Sequence, residues 1–287
     1  MFNFLRYHKI AALFSLVIIA TGCGFLVKNK GFRYSVDFTG GTELRVRFQN
    51  KQDNAAIKEM ISKEWNGQVF NILESNELII RVQGTAETEP GLDQKIVASI
   101  NAVSPDNTCS LLQTNSISNS IGQALRNNFI FATLIALLLM LLYITMRYRA
   151  AFAVGAVVAL MHDAFIVLAI FLIMDYEISI DVVGALLASL GYSINDTIII
   201  YSKIRSNLKT MKGKALSEIV NTSLNQTLRR TLLTSFATAM VVAAQFIFGG
   251  ATIRDLSLAL LLGIIFGTLS SIFIASPVMM LLYKEEK

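Results

Sequence analysis

Two carboxylates stand inside long apolar runs, and they are where this chain could do chemistry. Asp163 follows His162 in a run over 151–174, and Asp196 follows Asn195 in a run that begins near Val182. A carboxylate at the centre of a membrane helix costs at least about 2.5 kcal/mol, so such residues face a bundle interior or a water-filled path and mark functional positions. An acid in that setting can bind and release a proton as its surroundings open to one side or the other. One charge crossing the membrane is worth about 2.3 kcal/mol per 100 mV, enough to bias a conformational equilibrium. At 1.5 Å per residue the two acids are offset by roughly 10 Å along the membrane normal, with water or Tyr192 as the candidate bridge.

The stretch Gly191–Arg205, GYSINDTIIIYSKIR, ends in Tyr201, Lys203 and Arg205, as a helix leaving a membrane toward a basic surface would. The competing reading pairs Asp196 permanently with Lys203 or Arg205, whose long side chains reach along a helix to the interface. His162 fits either a relay or a satisfied core histidine. Thr234, Ser235 and Thr238 read as bonding their own helix backbone, which leaves Gln245 as the residue of that run in need of a partner.

Other chemistries are disfavoured. An intramembrane aspartyl protease also places two Asp on neighbouring helices, but its GxGD-type loop is absent from Gly191-Tyr-Ser-Ile-Asn-Asp. There is no nucleotide loop and no nucleophile–base pair. Two histidines and two cysteines, Cys23 and Cys109, offer neither a metal site nor a disulfide framework. The expectation is a protein that is not an enzyme, with no cofactor and no metal, driven by a proton gradient. A net charge of +5 in a chain that is 54% hydrophobic concerns membrane topology rather than nucleic acid.

The elements that must position these residues follow from hydropathy. Six spans are expected, at about Ile10–Val27, Phe129–Met146, Ala151–Met174, Val182–Tyr201, Leu232–Phe248 and Leu256–Leu282. Arg6, His8 and Lys9 followed by an apolar run and Ala20-Thr21-Gly22-Cys23 also resemble a lipoprotein signal peptide; Phe25–Val27 continue the run and favour an uncleaved helix. Between the first two spans, residues 28–128 have the composition of a soluble domain. Strands are expected at Tyr34–Phe38 and Thr42–Phe48 around Gly40-Gly41, then a helix at Asp53–Trp65. A hairpin of Gln68–Leu73 and Leu78–Val82 turns at Ser75-Asn76, followed by a helix at Gly91–Val103 and a strand at Thr108–Leu112. That order suggests a ferredoxin-like α+β domain. Ile117–Asn128 reads as an amphipathic lead-in helix.

Arg147 and Arg149 lie between spans two and three, and a basic loop over 202–231 lies between spans four and five. The connection between spans three and four carries Asp175, Glu177 and Asp181 and no Lys or Arg. Basic loops stay inside, so both termini are expected in the cytoplasm and residues 28–128 outside. The chain thus divides into 1–27, 28–128 and 129–287. Because helices in lipid associate through small residues, the expected packing positions are Gly155 in span three, Gly184, Ala188 and Gly191 in span four, and Gly263, Gly267 and Ser271 in span six. Gly184 and Ala188 are expected on the face that carries Asp196.

Together these segments resemble the SecD/SecF family of bacterial protein-export membrane subunits, in the resistance-nodulation-division superfamily. Asp37-Phe-Thr-Gly40-Gly41-Thr is similar to its DFTGGT element, His162-Asp163 to its HD pair, and Gly191-Tyr-Ser-Ile-Asn-Asp-Thr to its GYS(I/L)NDT motif. Arg230–Ser235, Phe248-Gly-Gly and Gly263–Pro277 resemble its closing pattern. The resemblance implies half of a transporter, with six helices and one external domain, paired with a SecD-like membrane subunit. YajC and the SecYEG channel lie nearby, with an unfolded translocating polypeptide as cargo, in the bacterial cytoplasmic membrane. It implies use of the proton motive force in late, outward translocation, with Asp163 and Asp196 handling protons and Lys203 or Arg205 as partner cation. One departure stands out: Ser202-Lys203-Ile204-Arg205-Ser206 replaces the family's D-R-I-R-E run, which puts acid–base pairing there in doubt. Two readings of other classes are a structural subunit whose polar groups only fasten helices, and a proton-driven exporter of small apolar molecules.

Overall fold

The computed structural model describes residues 2–50, 54–71, 76–83 and 89–283. In chain order the elements are α1 (Phe4–Lys28), α2 (Val36–Thr39), β1 (Gly41–Phe48), α3 (Ala55–Trp65), β2 (Gln68–Asn71), β3 (Glu77–Val82), α4 (Leu92–Val103) and β4 (Cys109–Ile117). There follow α5 (Asn119–Arg147), α6 (Ala150–Ile173), α7 (Ile180–Thr210), α8 (Leu216–Phe248), α9 (Gly250–Ser270), a π-helical turn (Ser271–Ala275) and α10 (Ser276–Leu282).

In lipid every backbone polar group must be satisfied within its own segment, so long apolar runs become helices. Six helices are long and apolar enough to cross a membrane: α1, α5, α6, α7, α8, and α9 together with α10. Several outrun the expected bounds, because the apolar run is only part of each helix. α1 starts at Phe4, where the side-chain carbonyls of Asn221 and Asn225 accept from the N–H groups of Phe4 and Phe2, both at 2.9 Å. The lead-in helix and span two form one helix, α5. The segment expected as a basic loop over 202–231 is helical except at 211–215. There α7 and α8 run on as a hairpin closed by Ile204, Val220 and Leu224 and by Asn207 donating to Ser223 and Gln226, both at 2.9 Å. The last span is broken by the π turn just before Pro277, whose ring would clash with the carbonyl four residues back; a wider turn relieves the clash.

The external domain has four antiparallel strands in the order β2-β3-β1-β4 with α3 and α4 on one face, the β-α-β-β-α-β ferredoxin-like arrangement. Leu44, Val46, Ile80 and Val82 alternate inward onto Ile57, Ile61, Ile96 and Ile100. Asp53 and Ser75, at the expected edges of a helix and a turn, lie outside the described residues.

Tyr34–Phe38 is not a strand. Ser35 caps the helical turn α2 by accepting from the Asp37 N–H, and Phe38 packs edge-on against Phe129 of α5. Gly40 (φ 75°) and Gly41 (φ 147°) then swing the chain from that turn into β1, in backbone regions that L side chains rarely adopt. A Cβ at Gly41 would also lie 2.5 Å from the Val82 carbonyl oxygen. The alternation of apolar and polar residues over 34–38 reflects the two sides of a docked turn rather than those of a sheet.

Candidate functional site

α7 runs parallel to α9 and the π turn that continues it, and they meet through four matched positions: Gly263 on Ser189, Gly267 on Ser193, Ser271 on Thr197 and Ala275 on Tyr201. Each bonded pair is 74 residues apart in sequence, so the register is constant along the interface. A Cβ on Gly263 would lie 2.3 Å from the Ser189 Cβ, and one on Gly267 2.8 Å from the Ser193 Cβ. The Thr197 and Ser271 hydroxyls are 2.8 Å apart, and Tyr201 donates to the Ala275 carbonyl at 3.0 Å. Gly155 of α6 meets the lower end of this pair: a Cβ there would be 2.6 Å from the Tyr201 hydroxyl and 2.7 Å from the Ala275 oxygen.

Both acids sit on this scaffold, and each is 1% exposed. Asp163 Oδ2 accepts from Ser193 of α7 at 2.7 Å and from Ser270 of α9 at 2.9 Å. Its Oδ1 is 3.1 Å from His162 Nδ1. Asp196 Oδ2 accepts from Ser235 of α8 at 3.0 Å; Thr268 of α9 is 3.5 Å from that oxygen and bonds the Ser235 hydroxyl at 2.8 Å. The two acids therefore hang on positions 268 and 270 of one helix. Among the described residues, no group of three or more His, Cys, Asp or Glu could hold a metal ion.

Several expected positions fall elsewhere. Gly184, Ala188, Gly191 and Asn195 form an exposed stripe of α7 that turns away from Asp196; a Cβ on Gly184 or Gly191 would meet nothing within 4 Å. The face that packs inside the bundle is instead Ser189, Ser193, Thr197 and Tyr201, one residue further round the helix. Tyr192 bonds Thr238 of α8 at 3.0 Å rather than bridging the acids. Gln245 lies exposed on α8. Neither Lys203 nor Arg205 bonds Asp163 or Asp196: Arg205 donates to the Arg147 carbonyl at 3.1 Å and lies over the Tyr148 ring. Ser193, Ser235, Thr268 and Ser270 are the partners that sequence reasoning missed. Their signal was the four-residue spacing of Ser189, Ser193 and Thr197, and paired small polar residues in an otherwise apolar last span.

Asp37 joins the external element to this site. Its Oδ2 accepts from the Ser35 hydroxyl at 2.8 Å and from the Ile180 N–H at 3.2 Å. Ile180 opens α7, so Asp37 satisfies one of the orphan donors of the acid-bearing helix and sits at its positive end. Ser35 N–H donates to the Ile178 carbonyl at 3.0 Å, and Ile178 N–H to that of Arg33 at 2.8 Å. Arg33 pairs with Asp175 at 2.6 Å and lies 3.6 Å from Glu177, which is also 3.6 Å from Arg81 of β3. Burial raises the Glu177 carboxyl above the usual carboxylate range, with Arg81 and Arg33 only partly opposing it.

Comparison with known proteins places the chain. The family model for the C-terminal part of the protein export membrane proteins SecD/SecF matches residues 96–285, and the model for the SecD/SecF GG motif matches residues 29–52. The protein translocase subunit SecF of Rhodothermus marinus is 34% identical over 284 residues, 96% of this chain and 92% of that one. The SecF of Vibrio alginolyticus is 35% identical, over 96% of this chain and 87% of that one. The crystal structure of SecDF, a translocon-associated membrane protein from Thermus thermophilus, superposes with a TM-score of 0.83 at 30% identity. It covers 98% of this chain, which spans 38% of the SecDF chain. The six spans, the ferredoxin-like domain and these matches agree: the chain belongs to the SecD/SecF family of protein export membrane proteins.

Proposed function

We propose that this chain is a SecF-type subunit of the protein translocase that pairs with a SecD-like membrane half. In this reading it uses the proton motive force to draw preproteins outward, late in their passage across the bacterial cytoplasmic membrane. The observation that carries the proposal is the pair of buried carboxylates, each held by hydroxyls from neighbouring helices and, among the described residues, neither ion-paired to Lys or Arg. Asp163 and Asp196 are the proton-binding groups, with His162 beside the first as its relay. Both termini are cytoplasmic, and residues 28–128 face outward, where they meet the emerging unfolded polypeptide. SecYEG and YajC are neighbours, and no cofactor takes part. The exposed stripe of Gly184, Ala188, Gly191 and Asn195 supports a SecD-like partner, because small residues in a row let a second helix approach closely and the exposed Asn195 amide could bond across to it. Asp37 links events at α7 to the external domain.

The test is secretion in a depletion strain complemented with Asp163→Asn or Asp196→Asn, with pull-down of the partner in parallel. Lost secretion with retained partner is the expected outcome. Normal secretion by both variants overturns the proton role and leaves a subunit that only holds the assembly together.

A further inference from the structure

The two oxygens of Asp163 have different surroundings. Oδ2 is closed in between α7 and α9: a Cβ on Gly267 would lie 2.8 Å from the Ser193 Cβ and 3.5 Å from Oδ2 itself, and a contact that rejects a methyl group leaves no room for water. Oδ1 lies 3.1 Å from His162 Nδ1. The other ring nitrogen, Nε2, is buried and has no hydrogen-bond partner among the described residues. His162 lines a cavity of about 80 Å³ between α1, α6 and α9, together with Ser15 of α1 and Ser270 of α9. The rest of the wall is apolar and includes Ala11 and Phe14 of α1, Leu269 of α9 and Phe273 of the π turn. Both polar side chains that α6 and α9 bring to this cavity contact Asp163, His162 through Oδ1 and Ser270 through Oδ2.

An ionised carboxylate only accepts, so while Asp163 is ionised the ring proton of His162 sits on Nδ1 and Nε2 is a bare acceptor. We infer that the cavity is the port through which Asp163 exchanges its proton with water, with Nε2 as the atom that meets the water. The inference rests on Asp163 binding a proton, as proposed above. In the loading step Nε2 takes a proton from hydronium, which leaves as water, and Nδ1 gives its own proton to Asp163 Oδ1. Both side chains end neutral, and the reverse order unloads the acid. The apolar wall makes the port a gate, because a cavity so lined stays dry and a dry one passes no proton. α1 is the side that can yield. It is exposed along most of its length and is held at two places. Asn221 and Asn225 bond the backbone of Phe2 and Phe4, and at Gly22 a Cβ would lie 2.5 Å from the Ala169 Cβ. Ala11, Phe14 and Ser15 lie between these two anchors.

The experiment is solid-state NMR of the full chain, labelled with nitrogen-15 histidine, in lipid nanodiscs at alkaline pH. The chain has two histidines, and His8→Gln assigns their signals. His162 is expected as the Nδ1–H tautomer with a bare Nε2; a proton on Nε2 overturns the port. Ala11→Ser adds a hydroxyl that a water in the cavity can bond. It should quicken hydrogen–deuterium exchange of the ring proton about fivefold, the worth of one hydrogen bond. Ala11→Leu puts three more carbons into the cavity and should abolish exchange over the same time course. Should the leucine variant not fold, the serine variant carries the test. Exchange that Ala11→Ser leaves unmoved, or that continues in a folded Ala11→Leu, overturns the gate. Neither readout uses secretion: normal secretion by Asp163→Asn would sink the proton-driven reading, while tautomer and exchange decide the port.

Discussion

Gly263→Ala puts a methyl group where the α7–α9 contact has no room. The new Cβ would lie 2.3 Å from both Cβ and Oγ of Ser189, whereas carbon atoms settle at about 3.5–4.0 Å. Ser189 Cβ is fixed to its backbone, so rotation cannot relieve the clash and the two helices must part by about 1 Å. Overpacking of this kind costs about 1–3 kcal/mol. Parting also strains Asp163 of α6, whose Oδ2 accepts from Ser193 of α7 at 2.7 Å and from Ser270 of α9 at 2.9 Å, at a further cost of about 1 kcal/mol. A loss of about 2–4 kcal/mol is expected in thermal unfolding of the purified protein in detergent. Ser189→Gly should restore most of it, because the Ser189 hydroxyl bonds only the Leu186 carbonyl of its own helix. That restoration is the coupling a double-mutant cycle measures. Gly191→Ala is the control: nothing lies within 4 Å of its new Cβ, so the chain alone should melt unchanged. If Gly263→Ala melts with the wild type, or Ser189→Gly fails to rescue it, the constant register between α7 and α9 is wrong.

Two further outcomes follow from the end of the bundle that meets the ferredoxin-like domain. Asp37→Ala should destabilise the start of α7 by about 1 kcal/mol, as loss of a helix cap does, while Asp37→Asn keeps an acceptor for the Ile180 N–H and loses less; limited proteolysis of the 175–180 connection reads the difference. The Glu177 carboxyl, raised by burial, binds a proton more readily in the folded protein than in the unfolded chain. The fold therefore loses stability as pH climbs from the ordinary carboxylate value of about 4.3 to the raised one. Glu177→Gln should flatten the dependence of melting temperature on pH in that window, and an unchanged slope would count against the buried position of this carboxyl.

Hydropathy made the spans legible because a bilayer imposes one solution on a long apolar run. It could not show where helices continue beyond the membrane. At the α7–α8 hairpin the turns next to the connection are amphipathic, and Asn207, Ser223 and Gln226 hold them together through side chains that look like loop residues in sequence. Strand periodicity read Tyr34–Phe38 as a strand because a short docked turn alternates over five residues just as a strand does. The two acids were visible as charges in apolar sequence. Their partners were not, because serine and threonine are ordinary in membrane helices and usually bond their own backbone. Only the rotational setting of α7, one residue away from the small-residue stripe, brings Ser193 rather than Gly184 onto α9. A stripe of small residues says that something packs closely; it does not say whether the neighbour belongs to the same chain.

Hydroxyl partners also decide what a buried carboxylate can do. An acid fixed to arginine stays ionised, and removing its partner is costly. A hydroxyl donates to a carboxylate and accepts from a carboxylic acid, so the same geometry serves both protonation states. Around Asp163 the alternative is already in place. Ser193 and Ser270, which donate to Oδ2, each have the Gly267 carbonyl as a second acceptor, at 3.4 and 3.1 Å. For a proton-binding Asp163, uptake would free both hydroxyls to turn to that carbonyl, and release would draw them back. The change lands on Gly267, where α9 approaches α7 too closely for any side chain. The proposed proton step therefore acts at a close contact of the helix pair that also carries Asp196, and Asp37 sits at the far end of the same α7.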